Sequence, residues 1–211
     1  MGTRNLTAVF IDGEYKVAQY GQFDGYPEGQ GAKCLTFLRD KMDEDKFKEQ
    51  VRKLYFASEE ELDTLWEKNG GDIALGTMPN DRYERYTQDY PQLNRCTAAR
   101  VLEMIQDGAV NFLRNSITFA ADGLFCEWAY VIDFDKRMFE VYSGYDKRQL
   151  TENDRFYFLK DYESHTYPAY PGVKIVAAWS LDDLPTLEEF LKATAQEEED
   201  DTPQNDDMLP F

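Results

Sequence analysis

The sequence predicts an α+β fold, with a mainly antiparallel sheet built from an N-terminal and a central hairpin and helices packed on it. Two observations carry this. Turn residues sit between β-favouring runs at Asp12-Gly13 and at Phe134-Asp135-Lys136, and two helix starts carry a Ser/Thr-x-x-Glu signature.

Residues 3–11, TRNLTAVFI, are β-rich, with Leu6, Ala8 and Phe10 on one side and Thr7, Val9 and Ile11 on the other. Asp12-Gly13 is the strongest hairpin signal in the chain, so strand 4–11 pairs with strand 14–20. GQFDGYPEGQG, residues 21–31, holds four glycines and a proline and reads as a loop. Leu35, Leu38 and Met42 then follow helical spacing, and 43–54 continues as a charged amphipathic segment through Phe47, Val51 and Leu54. Ser58 and Glu61 form a capping box opening a helix over about 59–68, which stops at Asn69-Gly70-Gly71.

Residues 72–95 read as irregular, with one or two helical turns over 80–88. Thr97 is read as the cap of a helix closed by Gly108, and 109–120 is ambiguous between helix and strand. The strands LFCEWAYVID and RMFEVYSG flank the second hairpin turn. Both faces of the first are apolar, which predicts a central strand covered on two sides. RFYFL, 155–159, reads as a short strand and GVKIVAAWSL as a final one. Thr186 and Glu189 form a second capping box, for a helix over 187–194. The simplest division is one domain, 1–195, and an acidic disordered tail, 196–211, with seven acids and no base.

The chain has 211 residues and a formal net charge of -18, which disfavours nucleic-acid backbone binding. No apolar run reaches the roughly 20 residues of a membrane span, and Leu6 stands where a myristoylation signal wants Ser or Thr. Cys34, Cys96 and Cys126 are far apart, and the one histidine is His165. Free thiols in a reducing cytoplasm fit that inventory better than a zinc site or a Cys/His nucleophile. Asp133 and Asp135 have the spacing of a cation-ligating pair but read as a plain turn. The common phosphate-loop, dinucleotide, serine-hydrolase and zinc-protease motifs are missing, so the reading assigns no metal, no cofactor and no catalytic residue.

The densest unusual chemistry lies in residues 2–31. Arg4, Asn5, Gln19, Gln22, Asp24, Tyr26 and Gln30 are the candidate ligand-binding residues: amides, a carboxylate and a guanidinium beside flat rings and permissive glycines. Such a lining would suit a sugar, a nucleotide or a peptide amide. The alternative is an ordered loop whose polar groups satisfy its own turns.

The strings GTRNLT, KVAQYGQ and DGYP-x-GQG in this segment resemble an uncharacterised family of phage, bacterial and fungal proteins. The resemblance is specific over 2–31 and weaker around 125–133 and the closing strand. It implies an intracellular protein of phage or mobile-element origin and supplies no catalytic residue. A strand, tight turn, strand and polar loop is also similar to the opening of N-terminal-nucleophile hydrolases. Gly2 has no nucleophilic side chain, so a relative of that kind is expected to be inactive as a hydrolase.

The favoured function is a non-catalytic intracellular binding protein that acts through protein–protein interaction on a basic partner. The alternative is a small-ligand-binding or hydrolase-like domain using loop 19–30. An oligomeric structural component is a third reading.

Overall fold

The first hairpin forms where Asp12-Gly13 places it. Asp12 and Gly13 have φ of 55° and 83°, the left-handed pair that a two-residue hairpin turn requires. They join β1 (Asn5–Ile11) to β2 (Glu14–Gly21). The second hairpin joins β5 (Trp128–Asp133) to β6 (Met138–Ser143). In the computed structural model, which describes residues 2–162 and 169–195, the two hairpins share one sheet. The five-stranded order is β2-β1-β5-β6-β7, with β7 spanning Lys174–Ser180. Three of the neighbouring pairs are antiparallel, but β1 and β5 run parallel, Asn5 opposite Trp128 and Phe10 opposite Asp133.

β5 is buried at every position, as its doubly apolar pattern predicts. Its alternation divides the core. Trp128, Tyr130 and Ile132 join Val9, Ile11, Phe139 and Val141 on one face, and Ala129 and Val131 join Leu6, Ala8 and Tyr142 on the other. The first face is covered by helices α1 (Ala32–Thr36), α2 (Glu44–Lys53), α5 (Val101–Gln106) and α6 (Leu187–Thr194), through Leu35, Phe47, Val51, Leu102, Ile105 and Phe190. The second is covered by irregular chain carrying Ala120, Ala121, Phe156, Leu159 and Val173.

Both capping boxes are present: Ser58 and Glu61 open α3 (Glu59–Lys68), and Thr186 and Glu189 open α6. Residues 80–88 prove to be a full helix, α4 (Asn80–Asp89). The ambiguous 109–120 stretch resolves into β4 (Phe112–Leu113), parallel to β3 (Tyr55–Phe56), and a 3-10 turn over Ile117–Ala121.

Three expectations are corrected. RFYFL is not a strand: Arg155 turns into the sheet, and Tyr157–Leu159 is a 3-10 turn that buries Phe156 and Leu159 three residues apart. Thr97 does not cap a helix; its backbone is already helical and its hydroxyl donates to the Pro91 carbonyl at 2.5 Å. Loop 21–31 ends halfway, because Pro27 opens a wide π-helical turn, Pro27–Gly31, that runs into α1. His165 and the tail 196–211 lie outside the described residues.

Candidate functional site

Loop 22–26 crosses the end of the sheet where β1 begins, and it is tied down from several sides. The Tyr130 hydroxyl donates to the Gly25 carbonyl at 2.7 Å. Asn5 and Gln30, both buried, each direct a side-chain amide at the Phe23 carbonyl, at 3.5 and 3.3 Å. The Gln30 Oε1 accepts from the Ala99 N–H at 3.3 Å. Gly29 has no room for a Cβ, which would stand 2.2 Å from the Asp24 carbonyl oxygen. Asp24 itself takes a left-handed backbone, φ 56°, in keeping with aspartate's tolerance for that region.

The seven candidate residues are therefore neighbours, but they do not converge on one pocket. The Asn5 and Gln30 NH₂ groups donate to the loop, while Gln30 Oε1 accepts from Ala99 and Asn5 Oδ1 is buried without a partner among the described residues. The Gln22 Oε1 accepts from the Tyr20 hydroxyl at 2.6 Å. The Gln19 Nε2 donates to the Tyr20 carbonyl at 3.2 Å, at the outer edge of β2. Arg4 lies over the Phe125 ring, 4.5 Å from its centre, and its backbone N–H donates to Glu127 at 3.1 Å. Only Asp24 and Tyr26 face the open groove of about 510 Å³ outside the loop. That groove also holds Lys33, Lys41 and Glu103, of which Lys41 and Glu103 pair with each other at 2.7 Å.

The two-aspartate turn is structural. Both Asp135 carboxylate oxygens accept from the turn of the other hairpin, from the Asp12 and Gly13 N–H groups at 2.8 Å each. Asp133 accepts from the Lys136 N–H and forms a buried ion pair with Arg155. Arg155 also binds Glu140 through Nε at 2.5 Å and Nη2 at 3.0 Å, and the Tyr142 hydroxyl donates to Glu140 at 2.6 Å. Burial and the Glu140 charge together push the Tyr142 hydroxyl well above its ordinary pKa. One arginine thus pairs with two buried carboxylates and holds the irregular layer on the sheet. Among the described residues, no group of three or more His, Cys, Asp or Glu could hold a metal ion.

Cys34 and Cys126 are fully buried and Cys96 is exposed. Burial pushes the Cys34 thiol up to about 12, and that of Cys126 also well above the ordinary value. Buried neutral thiols are poor nucleophiles.

The most exposed chemistry lies in an arm whose second half, from residue 72 on, reads as irregular in the sequence. Residues 58–90 form an arm of α3, a tight turn closed by the Asp72–Thr77 bridge, and α4. A ladder of rings holds it together: Trp66 packs on Tyr83 and Tyr86, Tyr86 on Tyr90, and Tyr90 on Phe112 of β4. At its tip Leu75 is 74% exposed and Ile73 43% exposed. The arm carries nine acids against three bases. Glu59 pairs with Arg114 and Glu61 caps its own helix, while Glu60, Asp63 and Glu67 face solvent without an ion pair among the described residues. Ile73 and Leu75 were not legible as a site, because two apolar residues in a glycine-flanked turn carry no periodicity.

No protein-family model, curated protein or solved structure matches the chain. No helix among the described residues is long and apolar enough to cross a membrane.

Proposed function

We propose that this chain is a non-catalytic binding protein that docks on a basic protein partner through the acidic arm 58–90. The observation that supports this reading is the pairing of an exposed apolar tip, Ile73 and Leu75, with unpaired carboxylates on the same arm. Apolar anchors supply affinity, while surrounding charge steers a partner of opposite sign and sets the approach rate. The unpaired thiols of Cys34, Cys96 and Cys126 support a reducing, cytoplasmic setting. The resemblance of residues 2–31 to phage-related proteins belongs to the same reading, as a proposal about origin.

The test is capture from a cell extract by the immobilised chain and by Ile73→Asp/Leu75→Asp. The expected partner is rich in Lys and Arg, is lost from the double variant, and is released as salt rises from about 0.05 to 0.5 M, where screening shortens to a few ångströms. Identical capture by both forms, or a partner held regardless of salt, would overturn the proposal.

A further inference from the structure

β2 is an outer strand of the sheet, and its free edge is only partly covered. The Ala18 carbonyl on that edge accepts from the Ser116 N–H at 3.1 Å, and the Gln22 N–H donates to the Arg95 carbonyl at 2.9 Å. Backbone groups of alternate residues in a strand point the same way. Tyr20, midway between, therefore turns its N–H and carbonyl outward too. The carbonyl accepts from Gln19 Nε2. No residue outside the sheet is bonded to the N–H among the described residues.

Between the two covering segments lies a notch of about 200 Å³. Gln19, Gln92, Arg95, Arg114 and Ser116 line it. Gln92 is only 5% exposed overall, and its carboxamide, which makes no hydrogen bond among the described residues, borders the notch. Arg95 has no ion pair among the described residues, and Arg114 donates to Glu59 through Nη1, leaving Nε and Nη2 unused. Two guanidinium groups, an amide NH₂, a hydroxyl and a strand N–H thus meet in one small space, in a protein of net charge -18.

Such a donor-rich set is matched by a planar anion. A guanidinium fork pairs with both oxygens of a carboxylate, and charge-assisted bonds are roughly twice as strong as neutral ones. The volume equals roughly seven waters at about 30 Å³ each, or one molecule of amino-acid size. We propose that this notch is a binding site for a small carboxylate, held by Arg95 and Arg114, with Gln92 and the Tyr20 N–H completing its shell. It is separate from the arm's tip, so the two proposals stand or fall apart.

The experiment is an NMR titration of the ¹⁵N-labelled chain with sodium propionate. Propionamide and sodium chloride, the latter at matched ionic strength, are the comparison arms. Saturable shifts of the Tyr20 amide and of Arg95 Nε are expected with propionate alone. Arg95→Gln, an exposed position, should keep a dispersed spectrum and weaken the affinity by about tenfold or more, as loss of a charge-assisted pair does. Gln92→Leu should abolish the shifts while the chain stays folded. Equal shifts with chloride would mean a general anion or ionic-strength effect, and equal affinity for propionamide would mean that charge is not recognised. Either result, or propionate binding unchanged in Arg95→Gln, would overturn the assignment.

Discussion

The Tyr130 hydroxyl donates to the Gly25 carbonyl at 2.7 Å, joining the central strand to a loop 105 positions away. Both groups are buried. The ring lies against Gly31, where an added Cβ would stand 2.8 Å from it. One side chain thus sets the distance between the sheet, the loop and the turn that opens the first helix.

Tyr130→Phe keeps the ring and orphans the carbonyl. The cost should be about 1–3 kcal/mol in urea unfolding, the penalty for a buried acceptor left unpaired. Hydrogen exchange should rise first in residues 22–31. A variant as stable as the parent, with unchanged exchange there, would refute the tether.

Arg155→Met should cost far more. It leaves Asp133 and Glu140 buried without their counter-charge, a change worth about 3–5 kcal/mol in comparable buried pairs. Replacing all three, as Arg155→Met/Asp133→Asn/Glu140→Gln, should recover part of the loss. If the triple variant is no better than the single one, the cost comes from packing rather than from unpaired charge.

Arg137 grips Asp182 at 2.5 Å and Glu44 at 3.0 Å, and both carboxyls are held below their ordinary range by it. A depressed carboxyl contributes stability at neutral pH and loses it as pH falls through the folded-state value. The stability gap between the parent and Arg137→Gln should therefore narrow as pH drops from neutral to below about 4, the ordinary carboxylate range. A gap independent of pH would contradict the electrostatic account.

Thiol labelling at neutral pH should modify Cys96 quickly and reach Cys34 and Cys126 only on unfolding. The raised Cys34 value works in the opposite sense to the carboxyls. The buried neutral thiol costs nothing below the unfolded thiol pKa of about 8.5. Stability should then fall as pH rises past that point toward about 12. Cys34→Ala should remove that part of the alkaline decline, and a decline of the same slope in the variant would exclude Cys34 as its source.

Features set by neighbouring residues were legible in the sequence. Asp12-Gly13 dictates its turn by backbone preference alone, and Ser58 with Glu61, like Thr186 with Glu189, closes a capping box within one helical turn. What escaped depends on distant partners. RFYFL has strand composition, but Arg155 is drawn to Asp133 and Glu140 and takes the backbone out of extension. The parallel pairing of β1 with β5 leaves no local trace. In the candidate site, the cluster 19–30 was visible, but not that Asn5 and Gln30 would spend their amides on Phe23. Gln92, Arg95 and Arg114 meet Gln19 only through tertiary folding, so no motif announces the notch.

The parallel junction between β1 and β5 bears on how the chain reaches its native state. β1 leaves the ribosome more than a hundred residues before β5, and its inner edge has no partner until residues 128–133 follow. Until then the first hairpin is an isolated two-stranded ribbon, marginal in water, with a bare edge open to pairing with other chains. Contacts of such long sequence separation slow folding. Refolding should be rate-limited by docking of the two hairpins, and substitutions at the Asp135 clasp on Asp12 and Gly13 should slow it more than substitutions within either hairpin.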